Sequence, residues 1–174
     1  IFDKDGVILD LQATWLPVAR AVAAHTVTLI PDVGDVMSEI TAADLLHAIG
    51  VDDQRGNIDP KGIFATGSFA QMRAKWQAML PPQMIDLEHD GAYRDAVQTI
   101  VHEKTRQTTK AKGDVVTPLH ALYENGYQLA LVTNDSESSA RQSLDDLGIA
   151  DLFCAIVGAD SGFGSKPDPD GLLH

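Results

Sequence analysis

Two short apolar runs, Leu129-Ala130-Leu131-Val132 and Phe153 to Val157, each lead into a polar, turn-rich segment, and an amphipathic stretch from Ser136 to Leu147 separates them. Apolar runs of this length bounded by turn signals read as buried strands. A helix between two of them implies a parallel pair covered by helices. Ile1-Phe2 reads as the tail of an earlier strand, and Asp3-Lys4-Asp5-Gly6 follows it at once. The residues between that strand and the later strand–helix–strand unit are mostly helical in pattern.

Trp15, Val18, Ala19, Val22 and Ala23 recur at helical spacing, and Pro31-Asp32 should end that helix. Val36, Ile40, Leu45, Leu46 and Ile49 suggest a second helix or pair, ended by Gly50. Val51 to Pro60 reads as a loop. Ser68 is placed to cap a helix carrying Phe69, Met72, Trp76 and Leu80, stopped by Pro81-Pro82, and a further helix is expected from about Asp86 to Thr108. After Gly113, Leu119, Leu122 and Tyr123 mark a short helix that ends near Asn125-Gly126. The expected fold class is therefore α/β. Residues 1–10 and 113–174 form a Rossmann-like parallel-sheet core, and residues 11–112 form an inserted, all-helical second domain. The chain opens on a strand tail without a Met and closes as Asp168 to Leu173 begins to read as a helix. Residues are expected to be missing at both ends, including the C-terminal part of the core.

Charge narrows the partners. Lys plus Arg is 13 and Asp plus Glu is 25, a formal net charge of −12. Bulk electrostatics then disfavour nucleic acid and anionic membranes. An anionic ligand must be held locally, by a metal ion, a single Lys or backbone N–H groups. No apolar run approaches the ~20 residues of a membrane span, and no signal peptide is read. The single cysteine, Cys154, excludes an intrachain disulfide framework and fits a reducing, cytoplasmic setting.

Open parallel sheets bind ligands at the carboxyl ends of their strands. Three polar clusters fall at such ends: Asp3-Lys4-Asp5-Gly6, Thr133-Asn134-Asp135 and Ser165-Lys166-Pro167. Asp3 and Asp5 can share a hard cation such as Mg²⁺, with one carboxylate as nucleophile and the other as general acid and then base. Gly6 permits a tight turn at the strand's exit. The same tetrapeptide also serves as a plain solvated turn. Thr133 and the N–H groups of its loop can hydrogen-bond phosphate oxygens, or Thr133, Asn134 and Ser136 can be ordinary turn and cap residues. Lys166, held between Ser165 and Pro167, can neutralise a phosphoryl charge or be a surface lysine.

Taken together and in order, the clusters resemble the haloacid dehalogenase-like hydrolase superfamily. Phe2-Asp3-Lys4-Asp5-Gly6-Val7 is similar to its first motif, Leu131-Val132-Thr133-Asn134 to its second and Ser165-Lys166-Pro167-Asp168-Pro169 to its third. The helical block looks like the cap domain of the phosphoglycolate phosphatase-like branch. The resemblance implies a Mg²⁺-dependent phosphatase acting on a small phosphorylated metabolite, with phosphoglycolate as the family default. Asp3 would form an aspartyl-phosphate, and Asp5 would protonate the leaving oxygen and then activate water. Thr133, helped by Asn134, would bind the phosphoryl group, and Lys166 would orient it and Asp3. Asp3 and the Asp5 backbone carbonyl would hold Mg²⁺. An acid at Asp5 favours phosphate monoesters over the carbon and phosphonate chemistry of other branches. The family's fourth motif, an acidic pair, should lie beyond Lys166, and the chain ends before it. A phosphomutase on the same scaffold, or a binding module that has lost catalysis, remains open on this reading.

Other residues carry plainer expectations. The six histidines show no metal-ligand spacing. Trp15 and Trp76 should pack the helical domain, with Trp15 near enough to the first motif to border a substrate pocket. The loop Ala65-Thr66-Gly67-Ser68 is either a connecting turn or a reader of the substrate's organic part. Cys154 is expected to be buried as a small hydrophobe.

Overall fold

The computed structural model describes residues 1–30, 40–80 and 85–174. They form two compact units, Ile1–Thr14 with Thr105–His174, and Trp15–Lys104. Both boundaries fall inside helices. The expected helix breaks at Pro31-Asp32 and Pro81-Pro82, and the contribution of Val36, lie outside the described residues.

In the Trp15–Lys104 unit, α1 (Leu11–Thr28) enters from the first unit. A capping box between Thr41 and Asp44 starts α2 (Ala42–Ala48). The segment expected to be a loop instead contains a short hairpin: β1 (Val51–Asp52) pairs antiparallel with β2 (Asn57–Ile58). Val51 and Ile58 face one another and are buried, and Gly56 turns the chain at φ +63°. Apolar burial on one face of the pair therefore overrides the polar composition between the strands. After α3 (Ile63–Thr66), Ser68 and Gln71 form the capping box of α4 (Phe69–Gln77). The last helix of this stretch, α5 (Gly91–Thr108), starts later than expected. Asp86 accepts the N–H groups of Glu88 and His89 in a turn, and Asp90 accepts that of Tyr93 as the real N-cap. The core includes Val22, Leu45, Leu46, Ile49, Met72 and Trp76, and the Trp76 indole N–H donates to the Leu45 carbonyl at 2.8 Å. Trp15 is half-buried.

The first unit continues with α6 (Val116–Glu124), β3 (Leu129–Val132), α7 (Glu137–Asp146) and, after a 3₁₀ turn at Ala150–Leu152, β4 (Phe153–Val157) and α8 (Asp170–Leu173). Strands β3 and β4 are parallel. On the other side of β3, Phe2 bridges Leu131 in parallel, with Phe2 N–H on Ala130 O at 2.8 Å and Val132 N–H on Phe2 O at 2.9 Å. The order is thus Phe2, β3, β4, an α/β arrangement with parallel strands. Leu119 from α6, Ala140 and Leu144 from α7, and Leu131 and Ile156 from the strands share one buried cluster with Ile8 and Leu9. Cys154 is exposed rather than buried: the pairing of β3 with β4 steps from Leu129 opposite Phe153 to Ala130 opposite Ala155, which leaves Cys154 as the extra residue of a bulge. Among the described residues no helix is long and apolar enough to cross a membrane.

Candidate active site

The chain leaves Phe2 with Asp3 and then turns back. Ile8 and Leu9 N–H groups both bond the Lys4 carbonyl at 2.9 Å, and Gly6 N–H bonds the Leu9 carbonyl at 2.9 Å. Gly6 sits at φ +80°, where a residue with a β-carbon is strained. This turn brings Asp3 and Asp5 to the same end of the sheet as the loop after β3 and the loop after β4.

Asp3 receives two donors on a single oxygen. Its Oδ1 accepts the Lys4 N–H at 2.7 Å and lies 2.6 Å from Lys166 Nζ. Its Oδ2 has no protein partner among the described residues, so one carboxylate oxygen is anchored and the other is available. Lys166 is itself anchored: Asn134 Oδ1 accepts the Lys166 N–H at 2.7 Å, and Asn134 Nδ2 donates to the Lys166 carbonyl at 3.1 Å. The Asn134 side chain therefore clamps the Lys166 loop. Thr133 is buried, its N–H bonds the Val157 carbonyl, and its Oγ1 accepts the Asp135 N–H at 3.2 Å, which leaves the hydroxyl proton to donate.

Lys4 is fully buried, with Nζ 3.1 Å from Asp5 Oδ2 and 2.9 Å from Asp135 Oδ2. Burial alone pulls the Lys4 ammonium down, but the charges of Asp5 and Asp135 outweigh it and hold the group above its ordinary value. Asp135 is fixed in turn by Ser136 N–H on Oδ1 at 2.8 Å and by Ser139 Oγ on Oδ2 at 2.7 Å. The loop's backbone presses on Gly158 at the end of β4, where a β-carbon would lie 2.2 Å from Glu137 N.

Asp3, Asp5, Thr133, Asn134 and Lys166, singled out from the sequence, thus lie in one connected constellation. Sequence reasoning passed over Lys4 and Asp135. The available signal was a lysine between two aspartates at a strand end, where a buried cation must find carboxylates. Ala65–Ser68 lies in the other unit, where Ser68 caps α4 and Thr66 Oγ1 donates to the Gly62 carbonyl.

The haloacid dehalogenase-like hydrolase family model matches residues 1–174, the whole chain. The chain belongs to the haloacid dehalogenase-like hydrolase family. Phosphoglycolate phosphatase of Cereibacter sphaeroides is 47% identical over 51 residues, 29% of this chain and 23% of that protein. The chain covers less than half of the length of the curated relatives it matches. A crystal structure described as a predicted phosphoglycolate phosphatase from Haemophilus somnus superposes with a TM-score of 0.66 at 20% identity, covering 99% of this chain and 67% of that one. The Bacillus subtilis protein YfnB, solved bound to magnesium, superposes with a TM-score of 0.57 at 19% identity, covering 99% of this chain and 68% of that one. Those structural likenesses carry the fold.

The residues of this haloacid dehalogenase-like chain suit a hard cation. Mg²⁺ takes oxygen ligands, commonly one or two carboxylates, and fills the remainder with water and substrate phosphate. Asp3 Oδ2 is without a protein partner among the described residues, and Asp5 adds oxygen donors two positions along the same turn. Neither His nor Cys stands between them in sequence to favour a softer metal.

Proposed function

We propose that this chain carries the chemistry of a phosphomonoester hydrolase that acts on a small phosphorylated metabolite of the phosphoglycolate kind. The observation that carries the reading is the division of labour on Asp3: Lys166 and a backbone N–H on Oδ1, and Oδ2 unengaged among the described residues. That is the arrangement a carboxylate nucleophile needs. The adjacent ammonium offsets the charge of the approaching phosphoryl group.

Asp3 Oδ2 attacks phosphorus, and the ester P–O bond breaks. Asp5, in its protonated form, gives its proton to the leaving oxygen. In the second half, Asp5 takes a proton from water, whose oxygen attacks phosphorus, and inorganic phosphate leaves as Asp3 is regenerated. The Thr133 hydroxyl donates to a phosphoryl oxygen. Asn134 acts one step back, by holding Lys166 in place. Mg²⁺, held by Asp3 and the Asp5 backbone carbonyl, would supply further positive charge at the phosphoryl oxygens. Phosphoryl transfer asks the protein mainly for positioning and electrostatics, which is what these residues provide. The likeness to a phosphoglycolate phosphatase supports the substrate class, and the Trp15–Lys104 unit is read as the cap domain.

The test is phosphate release from p-nitrophenyl phosphate and from phosphoglycolate by the full-length protein, with Mg²⁺ and with EDTA, beside Asp3→Asn. Release that requires Mg²⁺ and is lost in the folded Asp3→Asn protein is expected. Equal release by Asp3→Asn would sink the mechanism, and no release from the folded wild-type protein would sink the reading.

A further inference from the structure

We propose that Lys4 is a positioning residue for Asp5, acting through a relay that begins at the first turn of α7. The inference rests on the phosphatase reading above. The relay is continuous. Ser136 N–H and Ser139 Oγ fix Asp135, Asp135 Oδ2 holds Lys4 Nζ at 2.9 Å, and Lys4 Nζ holds Asp5 Oδ2 at 3.1 Å and Oδ1 at 3.3 Å. It joins the loop of the first strand to the loop of β3 through one buried ammonium.

Three considerations favour positioning over plain structural support. A lysine whose side chain is fully buried is rare, and an apolar side chain of like volume would fill the space without desolvating a charge. Asp5 keeps 24% of its side-chain surface in solvent, and Lys4 Nζ lies 3.1 Å from one of its carboxylate oxygens and 3.3 Å from the other, so the ammonium bears on where that carboxylate points. A general acid and base must stay within hydrogen-bond reach of the proton it moves. The two lysines of the site divide the carboxylates: Lys166 holds Asp3, and Lys4 holds Asp5. The two carboxylates thus take their ammonium partners from different loops, while the Lys4 N–H also donates to Asp3.

The test is a double-mutant cycle of Lys4→Met and Asp135→Asn in the full-length protein, with p-nitrophenyl phosphate and Mg²⁺, and crystal structures of both single variants. Lys4→Met is expected to lower kcat by about 10–100-fold with KM nearly unchanged, as loss of a placed acid/base does. Asp135→Asn is expected to lower kcat less, and the double variant to be no worse than Lys4→Met, because the residues act as one unit. Both single variants should show the Asp5 carboxylate displaced. Wild-type kcat in folded Lys4→Met, additive effects in the cycle, or Asp5 unmoved in the crystals would each overturn the proposal. If Lys4→Met does not fold, Asp135→Asn decides alone: a displaced Asp5 with lowered kcat supports the relay, and an unmoved Asp5 overturns it. Failure of the phosphatase reading looks different. The wild-type protein then releases no phosphate, and the position of Asp5 in the variant structures still judges the relay.

Discussion

Asn134 holds both backbone polar groups of Lys166, accepting its N–H at 2.7 Å and donating to its carbonyl at 3.1 Å. This amide-to-backbone pair locks the loop after β4 onto the loop after β3, and the Lys166 ammonium reaches Asp3 from that fixed base. Asn134, which the motif resemblance places as a helper in phosphate binding, engages the Lys166 backbone in this structure.

Asn134→Ala should therefore act on turnover through Lys166. Both hydrogen bonds are partly exposed, so the stability loss should be small, about 0.5–1.5 kcal/mol. The activity loss should be larger, on the order of 10-fold or more in kcat/KM, since small misplacement of a positioning group is costly. Steady-state kinetics beside a thermal melt check this. A large fall in melting temperature with unchanged kcat/KM would contradict it.

Gly158→Ala should destabilise the first unit. The added carbon would lie 2.2 Å from Glu137 N, 2.7 Å from Ser136 C and 2.8 Å from Asp135 O, all backbone atoms that cannot rotate aside. Forced overpacking of this kind costs about 1–3 kcal/mol. Urea denaturation measures it, and a midpoint equal to wild type would show that the loop yields more easily than its contacts indicate.

Tyr93 makes stability fall on the alkaline side. Burial raises its phenol above the ordinary value of 10.0, and the Thr26 hydrogen bond and the Arg73 charge only partly oppose it. A group whose folded pKa is raised contributes stability that is whole below its unfolded pKa and is lost as pH rises through the folded value. Thr26 Oγ1 already donates to the Val22 carbonyl, so the phenol is the donor in the 2.9 Å contact between them. Tyr93→Phe should melt at a somewhat lower temperature near pH 8 and lose less stability than wild type between pH 9 and 11. Melting curves across that range decide it, and parallel pH profiles would refute the assignment.

Ser68→Ala should cost about 1 kcal/mol, the usual worth of an N-cap hydroxyl. Ser68 Oγ accepts the Gln71 N–H at 3.3 Å, and Gln71 Oε1 returns the contact to Ser68 N–H at 2.8 Å. Restoration by Ser68→Asp and not by Ser68→Val, read in denaturant midpoints, would identify the cap as the cause.

The elements that could be read from the chain are those whose signal is local. β3, β4 and α7 lie where apolar runs, periodicity and the Ser136 cap put them, and Ser68 starts α4 for the same reason. The hairpin Val51–Ile58 was hidden because each of its strands is two residues long with a single apolar residue, too short for an alternating pattern to show. The start of α5 was misplaced because Asp86 and Asp90 are both plausible caps, and only the turn formed by Asp86 shows which one the helix uses. Cys154 was expected inside because its run is apolar, whereas the shift in pairing between β3 and β4 that makes it a bulge residue appears only once the two strands meet.

Residue chemistry and local pattern alone set the α/β class, the three polar strand ends and the carboxylates and lysine gathered there. Asp3 and Thr133 are legible because each follows a strand directly, and strands are visible as apolar runs; Lys166 comes nine residues after β4 and is legible by the pattern Ser165-Lys166-Pro167. Tertiary structure alone decided how those residues divide their work. Asn134 turns to the Lys166 backbone, Lys166 takes one oxygen of Asp3, and Lys4 is drawn inward between Asp5 and Asp135. Hydrogen bonds and ion pairs between distant loops depend on distances of a few ångströms, and such distances exist only once the sheet has brought the loops together.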